Sequence, residues 1–264
     1  MIGAVGTKGE RIMELDGKVA IITGAGGGLG LVYANALADQ GASVAVTDID
    51  GEAAERAASN LNDSGHPAIG LQVDVAVDSA VNQMVERTQS AFGGVDILIN
   101  NAGWRPNPAG NNYDFAPEAK GHLDGDAWRK VLAVNVAAPL VCAQACRDGM
   151  IKRGGGIIVN QSSNASYAYQ DTLYGVSKHA LNALTVWMAD AYANDQIRVN
   201  GIAPGSMTGR LPPGLQDEIL KRQRIRRLGR PEDLVGALLF LCSDRSGFMT
   251  GETLRIDGGE SARA

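Results

Sequence analysis

The stretch "TGAGGGLG" at residues 23–30 follows a β-branched run, "KVAIIT" (18–23), and precedes "GLVYANALADQ" (30–40), whose apolar groups recur at helical spacing and stop at Gly41. Strand, glycine loop, helix is the opening unit of a nucleotide-binding α/β fold. Gly24, Gly28 and Gly30 follow a G-x3-G-x-G spacing. Glycines permit a tight turn and let backbone amides approach a pyrophosphate, and the following helix aims its positive end at the same place. Gly24, Gly27, Gly28, Leu29 and Gly30 are therefore candidate dinucleotide contacts.

Outward from this loop the chain alternates. Strands are expected at 43–48, 68–75, 95–103, 155–163, 197–204 and 253–259. Helices are expected at 51–62, 79–92, about 126–152, 174–194 and 231–243. Continuous apolar strands alternating with helices imply a parallel sheet covered on both faces. No linker or internal repeat interrupts the pattern. The reading is a single-domain, Rossmann-type doubly wound α/β fold of about seven parallel strands over residues 15–264, after a flexible leader at 1–14.

Composition removes several function classes. A net charge of −5 favours neither nucleic acid nor an anionic membrane as partner. No run reaches about 18 consecutive apolar residues, so no membrane span is expected. Three cysteines (Cys142, Cys146, Cys242) suit a reducing, cytoplasmic setting rather than a disulfide scaffold. Cys142 and Cys146 are four apart, but no further Cys or His lies at ligand spacing, so no metal is expected and both read as small core residues.

In an open α/β sheet the ligand binds beyond the carboxyl ends of the strands. Asp48 ends the second strand, 18 residues past Gly30, where an acid can accept bonds from an adenosine ribose and repel a 2′-phosphate. No Arg or Lys occurs in 23–30 or 43–50 to neutralise such a phosphate, so NAD is expected over NADP. Other polar clusters follow strands at Asp74–Val75, "NNAG" (100–103), "SSNAS" (162–166) and "PGSMT" (204–208). Tyr174 precedes Lys178 by four positions, one turn along the same helix face.

Together, "TGAGGGLG" (23–30), "NNAG" (100–103), Asn135 in "AVNVAAP", Ser162 and Ser163, "YGVSK" (174–178), "PGSMT" (204–208) and "IDGG" (256–259) resemble the short-chain dehydrogenase/reductase family over about residues 15–260. The resemblance implies NAD as cofactor and reversible hydride transfer between a secondary alcohol and a ketone. It implies that Asn135, Ser163, Tyr174 and Lys178 form the catalytic set. It also implies that Asp48 and Ile49 meet the adenosine ribose, Asp74 and Val75 the adenine, Asn101, Ala102 and Gly103 the nicotinamide ribose side, and Pro204, Gly205, Met207 and Thr208 the carboxamide. A homotetramer built on helices 126–152 and 174–194 is implied as well. Ser162 is the alternative for the serine role, because the interval from Ser163 to Tyr174 is shorter than is usual in the family. A 3-oxoacyl-thioester reductase is the alternative within the family; an NAD-binding regulator or an epimerase is the alternative outside dehydrogenase chemistry.

The chemistry is coherent from the residues. A free tyrosine, with a pKa of about 10, is a poor base at neutral pH. A nearby ammonium favours the phenolate, so Lys178 is expected to lower the Tyr174 pKa and make it a general acid/base. Ser163 can hold the substrate oxygen, and Asn135, in a kinked helix, a proton-relaying water. Substrate contacts are expected from Trp104, Ser163, Tyr167 and Tyr169, and from two loops, 104–127 and 206–227. The run "KRQRIRR" (221–227) reads as the polar face of a surface helix or as a lid recruiting an anionic substrate.

Overall fold

In a computed structural model of the chain, residues 14–106, 125–167, 173–207 and 214–261 are described. Residues 1–13 of the expected leader, most of the 104–127 loop, Tyr169 and Thr208 lie outside the described residues. Seven strands, β1 (Val19–Thr23), β2 (Ser43–Asp48), β3 (Ala68–Gln72), β4 (Ile97–Asn100), β5 (Gly156–Gln161), β6 (Ile197–Pro204) and β7 (Thr253–Ile256), form one sheet in the order β3-β2-β1-β4-β5-β6-β7. Every neighbouring pair is parallel.

The register explains why both faces bury apolar groups. One row across the sheet is Ala45, Ile21, Leu98, Ile158 and Val199. It faces a core closed by α3 (Asp78–Phe92), α5 (Ala138–Lys152) and α6 (Leu173–Ala191). The adjacent row, Val46, Ile22, Ile99 and Val159, faces the opposite core. That core is closed by α1 (Gly28–Ala38), α2 (Gly51–Asp63) and α8 (Val235–Cys242). Side chains of successive strand residues alternate sides, so continuous apolar strands are what a sheet covered on both faces requires.

The strands stop earlier than the apolar runs suggest. β3 ends at Gln72 rather than Val75, β4 at Asn100 rather than Gly103, and β5 at Gln161 rather than Ser163. The residues past each end turn out of the sheet, held by their own side chains. Asp74 Oδ1 accepts from the Ala76 amide (2.9 Å), and Ser163 Oγ from the Ala165 amide (3.2 Å). These turns build the wall of the cleft described below.

The expected helix at 126–152 is three pieces: α4 (Gly125–Leu132), a π-helical turn (Ala133–Ala137) and α5. The Ala138 amide reaches back to the Ala133 carbonyl, the i→i+5 bond of a π turn. By length and apolarity residues 125–152 would suit a membrane span, but here α5 packs on β4, β5 and α3. Cys142 and Cys146 point into that core, and burial pushes the Cys142 thiol up to about 12.

A buried polar chain lies between this core and the sheet's carboxyl edge. Asn100 Nδ2 donates to Asn160 Oδ1 (2.9 Å) and to the Pro139 carbonyl (3.2 Å), and Asn160 Nδ2 donates to Thr185 Oγ1 (2.9 Å). The chain ties β4 to β5 and both to α5 and α6. Replacing Asn160 by Ala strands an Asn100 donor in the interior. We expect a loss of about 2 kcal/mol in unfolding free energy, read from denaturant midpoints at unchanged m-value.

Candidate active site

The sheet order reverses between β1 and β4, and the crevice at that point is where an open α/β sheet receives its ligand. A cleft of about 1100 Å³ opens there, walled by the turns after β1, β2, β3, β4, β5 and β6. At one end lies the glycine loop. Gly24 has φ +63°, and a Cβ there would come within 2.8 Å of Ala102 Cα. A Cβ on Gly30 would come within 2.6 Å of Asn101 Nδ2, so only glycine lets α1 begin against this loop. Asn101 braces the loop, its Nδ2 donating to the carbonyls of Thr23 (2.9 Å) and Gly24 (2.8 Å). The loop wall is thus bare backbone leading into the amides of α1, whose first turn carries no acid. This cradle fits a pyrophosphate.

Asp48 borders the cradle. Its Oδ2 accepts from the Gly26 amide (2.9 Å) and its Oδ1 from the Asp50 amide (3.0 Å), which fixes the carboxylate at the cleft wall. Ile49 beside it is 66% exposed, an apolar surface suited to a flat base. Asp74 and Val75 continue the same wall.

At the other end the catalytic candidates converge. Ser163 Oγ hydrogen-bonds the Tyr174 hydroxyl, and both line the cleft with Lys178. Lys178 is 2% exposed, and its Nζ donates to the Gln161 carbonyl at 2.7 Å. Burial pushes that ammonium down to about 8. Burial pushes the Tyr174 phenol up from its ordinary value, while the Arg105 guanidinium and the bond to Ser163 pull it down. A cation besides the expected Lys178 stands by the phenol: the Arg105 guanidinium lies 5.1 Å from the ring centroid. Lys178 Nζ lies 5.6 Å from that centroid and is turned to a carbonyl.

Asn135 lies in the π turn, buried behind the cleft rather than in it. Its Nδ2 donates to the Trp104 carbonyl (2.8 Å) and Ser177 Oγ (3.0 Å), and its Oδ1 accepts from the Trp104 amide (2.7 Å). The side chain therefore fixes the backbone after β4. Ser162, the alternative serine, donates to Asn182 Oδ1 at 2.5 Å and also faces Ser166, which leaves Ser163 as the hydroxyl beside Tyr174.

Most of the remaining expected residues line the same cleft: Gly24, Gly27, Gly28, Leu29, Asn101, Ala102, Gly103, Trp104, Pro204, Gly205 and Met207. Two expectations are corrected. Tyr167 does not line it; its ring lies under Arg255, with the guanidinium 4.7 Å from the centroid, on the β7 side. The basic run is not a helix face either, because α7 (Leu215–Arg222) ends within it. Its side chains turn to their own surroundings: Arg222 pairs with Glu260 (3.5 Å) and Arg227 with Asp233 (2.6 Å), and Arg224 donates to the Arg222 carbonyl (2.8 Å). Arg105, within the expected 104–127 loop, lines the cleft; sequence reasoning missed Lys130, Val134, Gln161 and Pro231, which line it too. Gln161 carried only the signal of lying near the end of an expected strand, and Lys130 carried none.

Comparison with known proteins agrees with this geometry. Residues 24–261 match the family model described as enoyl-(acyl carrier protein) reductase. An uncharacterised oxidoreductase of Mycobacterium tuberculosis is 40% identical over 254 residues, covering 94% of this chain and 99% of that protein. Cis-4-hydroxycyclohexanecarboxylate dehydrogenase of Sinomonas cyclohexanicum is 35% identical over 261 residues, covering 96% of this chain and 99% of that protein. Among solved structures, a 7α-hydroxysteroid dehydrogenase complexed with NADH and 7-oxo glycochenodeoxycholic acid superposes with a TM-score of 0.87 at 33% identity, covering 96% of this chain and 97% of that one.

The buried lysine gives this site a pH signature. In the folded protein its pKa is about 8, against 10.5 for the free side chain. Below pH 8 both states hold the proton and the burial penalty is full; between the two values only the unfolded state holds it, so stability rises with pH. Buried cysteines act oppositely above pH 9, so the measurement is a difference. Without added nucleotide, the stability of the protein minus that of Lys178→Met should rise by about 1 kcal/mol per pH unit from pH 8 to 10. A flat difference across that window would show that the ammonium is not buried.

Proposed function

The chain belongs to the short-chain dehydrogenase/reductase family, and we propose that it uses NAD to oxidise a secondary alcohol to a ketone, or to run the reverse reduction, with Tyr174 as general acid/base. The observation that carries this reading is the Ser163–Tyr174–Lys178 group at one end of a cleft whose other end is the glycine cradle and Asp48. A bound nicotinamide supplies the hydride acceptor for the alcohol carbon.

The chain's own residues do the rest. The Ser163 and Tyr174 hydroxyls hold the substrate oxygen, and Tyr174 takes its proton as the carbonyl forms. Arg105 stabilises the phenolate that results, offsetting the burial that opposes it. Lys178, anchored to Gln161, presents a second cation to the same end of the cleft. Asn135 holds the Trp104 backbone and so fixes the wall against which the substrate rests. Asp48 supports NAD over NADP, because a 2′-phosphate beside it would meet a fixed carboxylate. The relative named as a cis-4-hydroxycyclohexanecarboxylate dehydrogenase supports alcohol oxidation as the reaction type.

A screen of NAD⁺ reduction over cyclic, aromatic, steroid and hydroxyacyl alcohols tests the reading. Tyr174→Phe should lower kcat by about 10²–10⁴-fold while leaving NAD⁺ affinity within a few-fold. Full turnover by that variant would overturn the proposal, as would tighter binding of NADP⁺ than of NAD⁺. Net NADH production distinguishes a dehydrogenase from an epimerase, which returns its hydride in each cycle, and from a regulator, which turns over nothing.

Association into a homotetramer belongs to the same proposal. Val176, Val186 and Trp187 stand 51%, 57% and 54% exposed on α6. Residues eleven positions apart share a helix face, so Val176 and Trp187 lie on one side of α6, with Val186 flanking them in an apolar patch. Sedimentation should report a mass near four chains, and Trp187→Glu should shift it downward; a monomer at micromolar concentration contradicts the assembly.

A further inference from the structure

We propose that the reacting end of the cleft takes an anionic alcohol, one bearing a carboxylate or an equivalent anion, and that Arg105 and Lys130 select it. The inference deepens the dehydrogenase reading above and rests on it.

Charge is divided along the cleft. Among the described lining residues, the acids are Asp48, which ends β2, and Asp74, which follows β3, at one edge of the sheet. The cations are Arg105, Lys130 and Lys178, around the turns after β4 and β5. Lys178 is buried and tied to a backbone carbonyl. The other two approach the reacting position from different elements. Arg105 follows β4 and stands over the Tyr174 ring, 5.1 Å from its centroid. Lys130 projects from α4 and stands over the Trp104 ring, 4.7 Å from its centroid. Both cations are thus stacked on aromatic rings at the substrate end.

This placement does two things. Arg105 draws the phenol toward ionisation, which serves any alcohol. It also puts a planar guanidinium in the cleft wall beside the Tyr174 ring, where a carboxylate on the substrate can accept hydrogen bonds while the carbinol oxygen meets Ser163 and Tyr174. Apolar walls from Trp104, Val134 and Met207 strengthen such a pair by excluding water. The basic run at 221–227, the obvious source of anion attraction in the sequence, does not line this cleft.

The test compares two probes of the same shape and different charge. With the protein saturated with NAD⁺, binding of cyclohexanecarboxylate and of cyclohexanecarboxamide is measured by calorimetry. We expect the carboxylate to bind about tenfold tighter, with the advantage shrinking as salt is raised. Arg105→Gln should bring the ratio close to one, and Lys130→Gln should reduce it. Arg105→Lys should keep part of it, since charge remains and the fork is lost. The ratio within each variant cancels any common effect on folding or on Tyr174. A wild-type ratio near one, a ratio indifferent to salt, or a ratio that survives the double Gln variant overturns the proposal. If neutral cyclohexanol is then still oxidised in a Tyr174-dependent way, the dehydrogenase reading stands and only the anion selection falls. If no alcohol, neutral or anionic, reduces NAD⁺, both fall together.

Discussion

The site depends on one bond, from the Lys178 ammonium to the Gln161 carbonyl, 2.7 Å long and shut away from water. An ammonium so placed carries a penalty of ~3 kcal/mol, the free-energy equivalent of its displaced pKa, that the bond does not erase. Nothing in core packing requires a lysine there. The position makes sense only as an investment in the cleft, whose wall the residue helps to form. Gln161 is the fixed point of the arrangement. Its carbonyl receives Lys178 from α6, and its side chain receives the Tyr33 hydroxyl (2.8 Å) from α1, the helix that begins at the glycine loop. The last residue of β5 thus sets the positions of the helices on either side of the sheet relative to each other.

A second level of organisation comes from asparagines. Asn101 holds the glycine loop to the end of β4, Asn100 and Asn160 hold β4 to β5, and Asn135 holds the chain after β4 to the π turn. Asn100 and Asn101 each donate twice, while Asn135 and Asn160 donate and accept at once, so these carboxamides add ties at the sheet's edge, where the backbone ladders end. The edge that lacks ladder partners is the edge that must hold shape for chemistry. Rigid side-chain amides replace the missing backbone pairing there.

Much of this was legible in the sequence. The parallel sheet was readable because strands buried on both faces leave unbroken apolar runs, and the glycine loop because its place between strand and helix is unambiguous. Tyr174 and Lys178 were readable because a helix converts spacing into a shared face. What escaped were features made by tertiary placement. A second cation over Tyr174, Arg105, comes about seventy positions earlier in the chain, and no local spacing connects the two. Tyr167 was misplaced because a turn can send its aromatic ring to either side, and here Arg255 holds it. The basic run looked like a helix face because charge density marks solvent, not geometry; α7 stops at Arg222.

The π turn at Ala133–Ala137 has a consequence for how this chain can vary. It holds one residue more than an α-turn would, so everything on α4 is rotated by roughly 100° against everything on α5. Removing a single residue there would give a smoother, intrinsically more favourable helix and would swing Asn135 away from Trp104. Selection for helical regularity and selection for the cleft pull in opposite directions at this spot. The irregular turn is therefore a place where a stabilising change in backbone geometry is a disabling one.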